Sequence, residues 1–241
     1  MADLVVCMPE ISIIIPIYNE QAILHKEVLS IVSELKNFLP QINYEIILVE
    51  NGSVDATRSI AEGLTRSYPT IRLVHLPAAS YGRALKHGIN ESRGVYTVLF
   101  NIDFWDVPFI VKALEIMRYG KMDMVVGSKT MKGAEDTRPF LRRLITQLFN
   151  KLLRLIFGFT GTDTHGIKLL RQDKILPVVA ACQTEREIFD TEFVLRSQRM
   201  GLLTAEIPVV CQEKRATVYH ISKRIPRTIK DLIVLFFSLR R

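Results

Sequence analysis

Residues 11–20 read ISIIIPIYNE, and this stretch decides the fold. Ile11 to Ile17 is β-branched and apolar almost throughout, without the polar–apolar alternation of a strand that faces water. A strand of that kind is buried on both faces, the setting of a parallel sheet with helices on each side. Pro16 directs the chain out of the sheet, and Asn19-Glu20 opens an amphipathic helix to about Phe38. The same cadence then repeats. Tyr44–Val49 (YEIILV), Ile71–Leu76 (IRLVHL), Val95–Phe100 (VYTVLF) and Met122–Val126 (MDMVV) read as further strands. Helices are expected between them: one capped by Ser53 or Asp55 and running to Ser67, one from Ser80 to Ser92, and one from Pro108 to Tyr119. The class is α/β, with a mostly parallel central sheet and helices on both faces.

In such a sheet, ligands bind beyond the carboxyl ends of the strands. After the first strand come Tyr18, a stacking face, and Glu20. After the second come Glu50-Asn51-Gly52-Ser53-Val54-Asp55, whose first two polar groups suit a base or ribose. After the fourth come Asn101-Ile102-Asp103-Phe104-Trp105-Asp106, acids of the sort that hold a hard cation and a diphosphate. Each segment also has a ligand-free reading as an acidic first helical turn, a helix cap or a solvated loop.

The chain has 241 residues, 32 basic and 25 acidic, for a formal charge of +7, and 48% are hydrophobic. That length and apolar content fit one globular domain over residues 1–241 and exclude a disordered chain. The charge is unevenly placed. Residues 138–157 hold five basic side chains and no acid, and residues 214–241 hold eight and one acid, so the rest of the chain is net acidic. In the first segment Phe140, Leu141, Leu144, Ile145, Leu148, Phe149, Leu152 and Ile156 share a helical stripe, which is either core or a membrane-facing surface. A terminal helix over Lys230–Arg241 would be roughly 18 Å long, enough to lie on a bilayer and too short to cross it. Cys7, Cys182 and Cys211 are scattered and read as small core residues in a reducing compartment. MADLVVCMPE lacks the basic start of a signal peptide, and no apolar run approaches a membrane span. Cations interleaved with Leu and Ile, without a nucleic-acid motif, argue against nucleic acid as a partner.

Taken together, the motifs resemble the family 2 glycosyltransferases with a GT-A type nucleotide-sugar-binding fold. The likeness is closest to the branch of dolichyl-phosphate mannose and glucose synthases and bacterial polyprenyl-phosphate sugar transferases. It rests on IPIYNE (Ile15 to Glu20), ENGSVDAT (Glu50 to Thr57), NID (Asn101 to Asp103), VVGSK (Val125 to Lys129), DTHGIKLL (Asp163 to Leu170), FDTE (Phe189 to Glu192) and AEIPV (Ala205 to Val209). The resemblance implies sugar transfer, with inversion, from a nucleotide-diphosphate sugar to a polyprenyl phosphate. It makes Pro16, Tyr18, Glu20, Val49 and Asn51 the nucleoside pocket, and Asn101, Ile102 and Asp103 the diphosphate end. Asp103 is the expected catalytic residue and, with Asn101, the expected holder of Mg²⁺ or Mn²⁺. Lys129, Arg215 and Lys223 are expected to bind phosphate.

The expected place is the cytoplasm, peripherally on the cytoplasmic face of a membrane, and a membrane partner subunit is compatible with this. Two family aspartates are amides here, Asn51 and Asn101, and Trp105 stands where relatives place a polar metal contact. An amide coordinates without charge, which weakens a divalent site. Two other readings remain open on the sequence. One is transfer to a saccharide hydroxyl, with Asp163, Glu187 or Asp190 as general base. The other is a non-catalytic nucleotide-sugar-binding relative.

Overall fold

The computed structural model of the chain describes residues 8–211 and 221–239, with the side chains of 221–227 left aside. Its strands are β1 Ile11–Ile17, β2 Tyr44–Asn51, β3 Ile71–Leu76, β4 Tyr96–Leu99, β5 Met124–Ser128, β6 Glu135–Asp136, β7 Lys168–Arg171, β8 Thr204–Pro208 and β9 Val210–Cys211. Its helices are α1 Leu24–Phe38, α2 Thr57–Ser67, α3 Tyr81–Glu91, α4 Val107–Gly120, α5 Phe140–Phe157, α6 Gln172–Ala181, α7 Phe189–Arg199 and α8 Ile221–Ser238.

Seven strands form one sheet in the order β3-β2-β1-β4-β7-β5-β8, and only the pairings made by β7 are antiparallel. The expected mostly parallel α/β sheet is therefore present. Alternate residues of β1 explain why its sequence is apolar throughout. Ile11, Ile13, Ile15 and Ile17 pack with α1, α2 and α4 on one face, while Ile14 packs with α3, α6 and α7 on the other. Every one of these side chains is buried, each contributing about 1.5–3 kcal/mol.

The first helix starts at Leu24, later than the sequence suggests. Asn19 adopts a left-handed φ of 54°, and the residues after it bond to another loop instead of to a first helical turn. Asn19 N–H donates to Ser53 Oγ, Glu20 N–H to Thr57 Oγ1 and Gln21 N–H to Asp55 Oδ2. In return Val54 N–H donates to Asn19 Oδ1 and Ala56 N–H to Gln21 Oε1. The loops after β1 and β2 are thus one interlocked unit.

The two cationic helices differ from a core element. On α5, Phe140, Leu141, Leu148 and Leu155 are all more than half exposed, and Asn150, Leu153 and Phe157 are the buried contacts. Most of the stripe expected from the sequence is therefore an outer surface, while its members Ile145 and Phe149 turn inward. The terminal helix α8 begins well before Lys230; Ile229, Ile233, Val234 and Phe237 are about half exposed or more, opposite buried Leu232 and Leu235. Among the described residues no helix is long and apolar enough to cross a membrane.

Helix α3 lies against the sheet because Gly88 lets it. A Cβ there would sit 2.4 Å from Ile14 Cγ2 and 3.1 Å from Val49 Cγ2, so a methyl group has no room. Gly88→Ala is expected to cost about 1–3 kcal/mol through this overpacking. Gly63→Ala, on α2 where a Cβ meets nothing within 4 Å, should instead add about 0.5–1 kcal/mol. Urea unfolding of the two variants checks both signs.

Candidate active site

A cavity of about 800 Å³ opens at the carboxyl ends of β1, β2 and β4. Every residue expected at the nucleoside and diphosphate ends lines it except Val49, which is fully buried and packs toward Gly88. Glu50 is also absent from the lining. It has no exposure, and its carboxylate takes the Ser53 N–H at 2.5 Å and meets His75 Nδ1 at 2.5 Å. Burial alone would raise its pKa, but those bonds outweigh burial and hold the carboxyl below its ordinary range. Glu50 thus shapes the turn, and Asn51 is left as the polar group of that strand end that reaches the cavity.

At the other end, Asn101 and Phe104 close a tight turn through Asn101 N–H to Phe104 O and Phe104 N–H to Asn101 O, 3.1 and 3.0 Å. Ile102 is buried in the core below and half-buried Asp103 is held at the tip of the turn, facing the cavity. Trp105 turns away, its indole N–H donating to Glu27 on α1 at 2.9 Å. Asp106 caps α4 by accepting from Phe109 N–H at 3.1 Å, so it is engaged away from the metal end.

Beside this turn lies a buried chain of polar groups. Lys168 Nζ is 2.7 Å from Asp190 Oδ1 and also donates to Gly166 O. The Tyr81 hydroxyl is 2.9 Å from Asp190 Oδ2 and 3.1 Å from the Asn101 amide. Burial and the charge of Asp190 push the Tyr81 pKa well above its usual value, so the hydroxyl keeps its proton. It has only one proton, and charged Asp190 is the stronger acceptor. The contact with Asn101 is then satisfied by an amide N–H donating to the Tyr81 oxygen, with the amide turned about. An ionised aspartate could not supply that donor.

Lys129 is mostly buried. Its ammonium spends its contacts on Asp163 at 3.2 Å, His165 O at 2.9 Å and the Phe104 ring at 5.0 Å. Burial would raise Asp163, but Lys129 and the backbone N–H groups around it keep the carboxyl below its usual range. Gly127 and Gly166, from the VVGSK and DTHGIKLL segments, meet backbone on backbone: a Cβ at Gly166 would lie 2.0 Å from Gly127 O. Arg215 lies outside the described residues. Lys223 has its backbone in α8, and its side chain is likewise outside them.

Sequence reasoning did not single out Ser80 and Tyr81 at the start of α3, His165, or exposed Arg186, all of which line the cavity. Ser80 and Tyr81 follow a strand on the far side of β2, so only the pairing of strands brings them in. Of the acids considered as a base, Asp163 and Asp190 are buried and paired, whereas Glu187 is exposed at the rim.

The donor set for a divalent cation is thin. Among the described residues no group of three or more His, Cys, Asp or Glu side chains is placed to hold a metal. Asp103 is the one acid at the tip, which fits a cation carried mostly by substrate phosphates and water, as Mg²⁺ often is.

The family model described as Glycosyl transferase family 2 matches residues 12–177. The chain belongs to that family. The match covers β1, β2 and β4 with the turns that follow them, though not Arg186, Glu187 and Asp190 on the far wall of the cavity. This family 2 domain is 30% identical over 219 residues to Glycosyltransferase AglD of Haloferax volcanii, covering 86% of this chain and 34% of that protein. It is 27% identical over 213 residues to the Dolichyl-phosphate beta-glucosyltransferase of Dictyostelium discoideum, covering 83% of this chain and 65% of that one. The chain thus spans between about one third and two thirds of the length of these relatives. In three dimensions it resembles glucosyl-3-phosphoglycerate synthase from Mycobacterium tuberculosis, solved with Mn²⁺, UDP-glucose and phosphoglyceric acid. The TM-score is 0.67 at 17% identity over 95% of this chain and 80% of that one, a likeness of fold. The fold is of the GT-A type.

Two outcomes follow from the buried chain. Asn101→Asp should cost about 1–3 kcal/mol at neutral pH, because the Tyr81 oxygen loses its donor and two carboxylates compete for one proton. That cost should fade as acid protonates the new carboxyl. Lys168→Met should cost about 3–5 kcal/mol by leaving Asp190 buried and unpaired. Breaking the exposed Arg58–Glu62 pair should change stability by about 0–1 kcal/mol in the same urea titrations.

Proposed function

We propose that this domain transfers a sugar from a nucleoside-diphosphate sugar to a polyprenyl phosphate, dolichyl or undecaprenyl, at the cytoplasmic face of a membrane. The observation that carries this reading is the meeting of two cavities. The larger one, with Tyr18, Asn51 and Asp103, has the size and polarity for the donor. A second, of about 350 Å³, adjoins it at His165 and Glu187 and lies between Arg138, the inner side of α5 (Ile145, Phe149) and α8 (Thr228, Asp231). A lipid phosphate suits a space with the Arg138 guanidinium on one wall, oriented by its two-pronged pair with Asp136, and apolar helix side chains on another. The Dictyostelium relative, a Dolichyl-phosphate beta-glucosyltransferase, supports the same acceptor class.

An acceptor phosphate is already ionised, so it needs no general base. One of its oxygens bonds to the anomeric carbon while the bond from that carbon to the diphosphate breaks on the opposite face. The electron pair leaves with the nucleoside diphosphate and the configuration inverts. The domain's task is orientation and charge stabilisation. Arg186 faces the donor diphosphate and Arg138 the acceptor, while Lys129 braces the wall between the cavities from inside. Asp103, with the donor's own phosphates, would hold Mg²⁺ or Mn²⁺, which when bound neutralises charge on the leaving diphosphate.

The exposed apolar faces of α5 and α8, flanked by cations, fit the surface of an anionic bilayer. Each nearby Lys or Arg adds about 1 kcal/mol there.

The direct test incubates the protein with a panel of nucleotide sugars and a synthetic polyprenyl phosphate. Sugar should appear on the lipid phosphate, and Asp103→Asn should slow transfer roughly a hundredfold or more. Sugar on a saccharide hydroxyl, with the lipid phosphate inert and Glu187→Gln inactive, would replace this reading with the hydroxyl-transfer one. For the membrane surface, Leu148→Asp combined with Leu155→Asp should abolish co-sedimentation with anionic vesicles at low salt. Both positions are exposed, so folding stability should stay within about 0.5 kcal/mol.

A further inference from the structure

Glu50 sits where a carboxylate is costly. Side chains alternate along β2, so Glu50 continues the row of Ile46 and Leu48 on the face covered by α1 and α2. Its side chain is 1% exposed, and a neighbour across the sheet answers it. The register sets Glu50 opposite His75 of the edge strand β3, and Nδ1 of that imidazole lies 2.5 Å from Glu50 Oε2. An ionised carboxylate can only accept, so the ring carries a proton on Nδ1. Arg58 on α2 agrees with this: its Nη1, a donor, faces the other ring nitrogen at 3.5 Å.

His75 lines neither cavity, yet the bonds that follow from it reach the larger one. With Oε2 held by His75, Glu50 Oε1 takes the Ser53 N–H at 2.5 Å and closes the turn after β2. Ser53 Oγ then takes the Asn19 N–H at 3.1 Å, and Asn19 Oδ1 takes the Val54 N–H at 2.9 Å. Tyr18 and Glu20, on either side of Asn19, and Asn51, next to Glu50, all line the cavity. A single imidazole at the sheet edge therefore stands behind three groups of the cavity wall.

We propose that His75 is a positioning residue for the nucleotide. Acting through Glu50, it holds the loops after β1 and β2 in their binding arrangement without touching the ligand. The inference rests on the nucleotide-sugar reading above and extends it to what keeps that site in shape. Without a donor on its second oxygen, the buried carboxylate turns to find one, because an unmet charge there is costly. The Ser53 bond then opens, and only a fraction of molecules holds the wall ready. The apparent affinity falls by that fraction.

Titration calorimetry with UDP and with GDP, each in the presence of Mn²⁺, tests this. His75→Leu fills the space without a donor and should weaken whichever nucleotide the wild type binds by roughly tenfold, the worth of one hydrogen bond to a charged group. His75→Asn should stay within about twofold of the wild type, since its Nδ2 stands as many bonds from Cα as the imidazole Nδ1. Thermal unfolding of each variant confirms that the folded protein is being measured. ¹⁵N NMR of the wild-type ring, which needs no variant, should find a proton on Nδ1. Unchanged affinity in His75→Leu, an equal loss in both variants, or a bare Nδ1 overturns the assignment while leaving the nucleotide reading intact. If His75→Leu does not fold, a loss of affinity in folded His75→Asn or a bare Nδ1 is what overturns it. Failure of both nucleotides to bind the folded wild type overturns the nucleotide reading and the assignment with it.

Discussion

The carboxylate of Asp190 and the ammonium of Lys168 are buried together, and the floor of the larger cavity is built on their contact. Either ion alone would lose several kcal/mol of hydration without return, so the two must arrive in one place. Strand direction does this. β7 is the only strand of the large sheet that runs against its neighbours, and its register sets Lys168 opposite Leu99 and Val126, near the carboxyl ends of β4 and β5. The loop that precedes a reversed strand lies at the same edge as the loops that follow the parallel ones. Residues 163–167 therefore join the rim, bringing Asp163, His165 and Gly166 beside the turn of Asn101 to Phe104. Tyr81 and Asn101 then extend the pair into a chain that ends at the turn of Asn101 to Phe104.

The strands up to β5 were legible because a doubly covered sheet writes itself as apolar runs, and Ile11–Ile17 and Ile71–Leu76 have the bounds read from the sequence. The cavity lining was legible at the strand ends, since polar residues that follow an apolar strand have few other reasons to cluster. What did not show was anything decided by partners distant in sequence. Nothing local says that Asn19 bonds Ser53 and Val54 and so delays α1, or that Asp106 is used as a helix cap. Val49 and Asn51 share the α3 face of β2, yet Val49 lies beneath Gly88 in the middle of that helix, while Asn51, at the strand's end, meets Ser80 at its start and reaches the cavity. Lys168 and Asp190 lie in separate motifs, and their pairing is a matter of topology.

Charge is managed consistently around the cavity. Asp163 is covered by Lys129, Asp190 by Lys168 and Glu50 by His75. Asn101, an amide where the resemblance implies an acid, leaves Asp103 as the one carboxylate at the tip of that turn. An anionic donor of the kind proposed would meet Asp103 and the exposed guanidinium of Arg186 there with less repulsion to overcome. Such a wall suits a cation that arrives with the nucleotide better than one held by the free protein, because the protein's own ligands are too few to offset the ion's dehydration.

The same frame gives α8 a place in the site. Glu192, two residues beyond Asp190 and with no exposure, takes the N–H groups of Gln183 and Thr184 on its two oxygens. Arg196 donates to that carboxylate at 2.8 Å and to Ser238 Oγ at 2.8 Å, while Arg199 donates to Leu239 O. A single buried carboxylate therefore anchors both the end of α8 and the segment leading into Arg186 and Glu187. The helix whose outer face is apolar is consequently tied to the rim shared by the two cavities. Its inner face closes the smaller one through Thr228 and Asp231. An acceptor whose tail lay along that outer face would reach the reacting centre past side chains that the sheet itself holds in position.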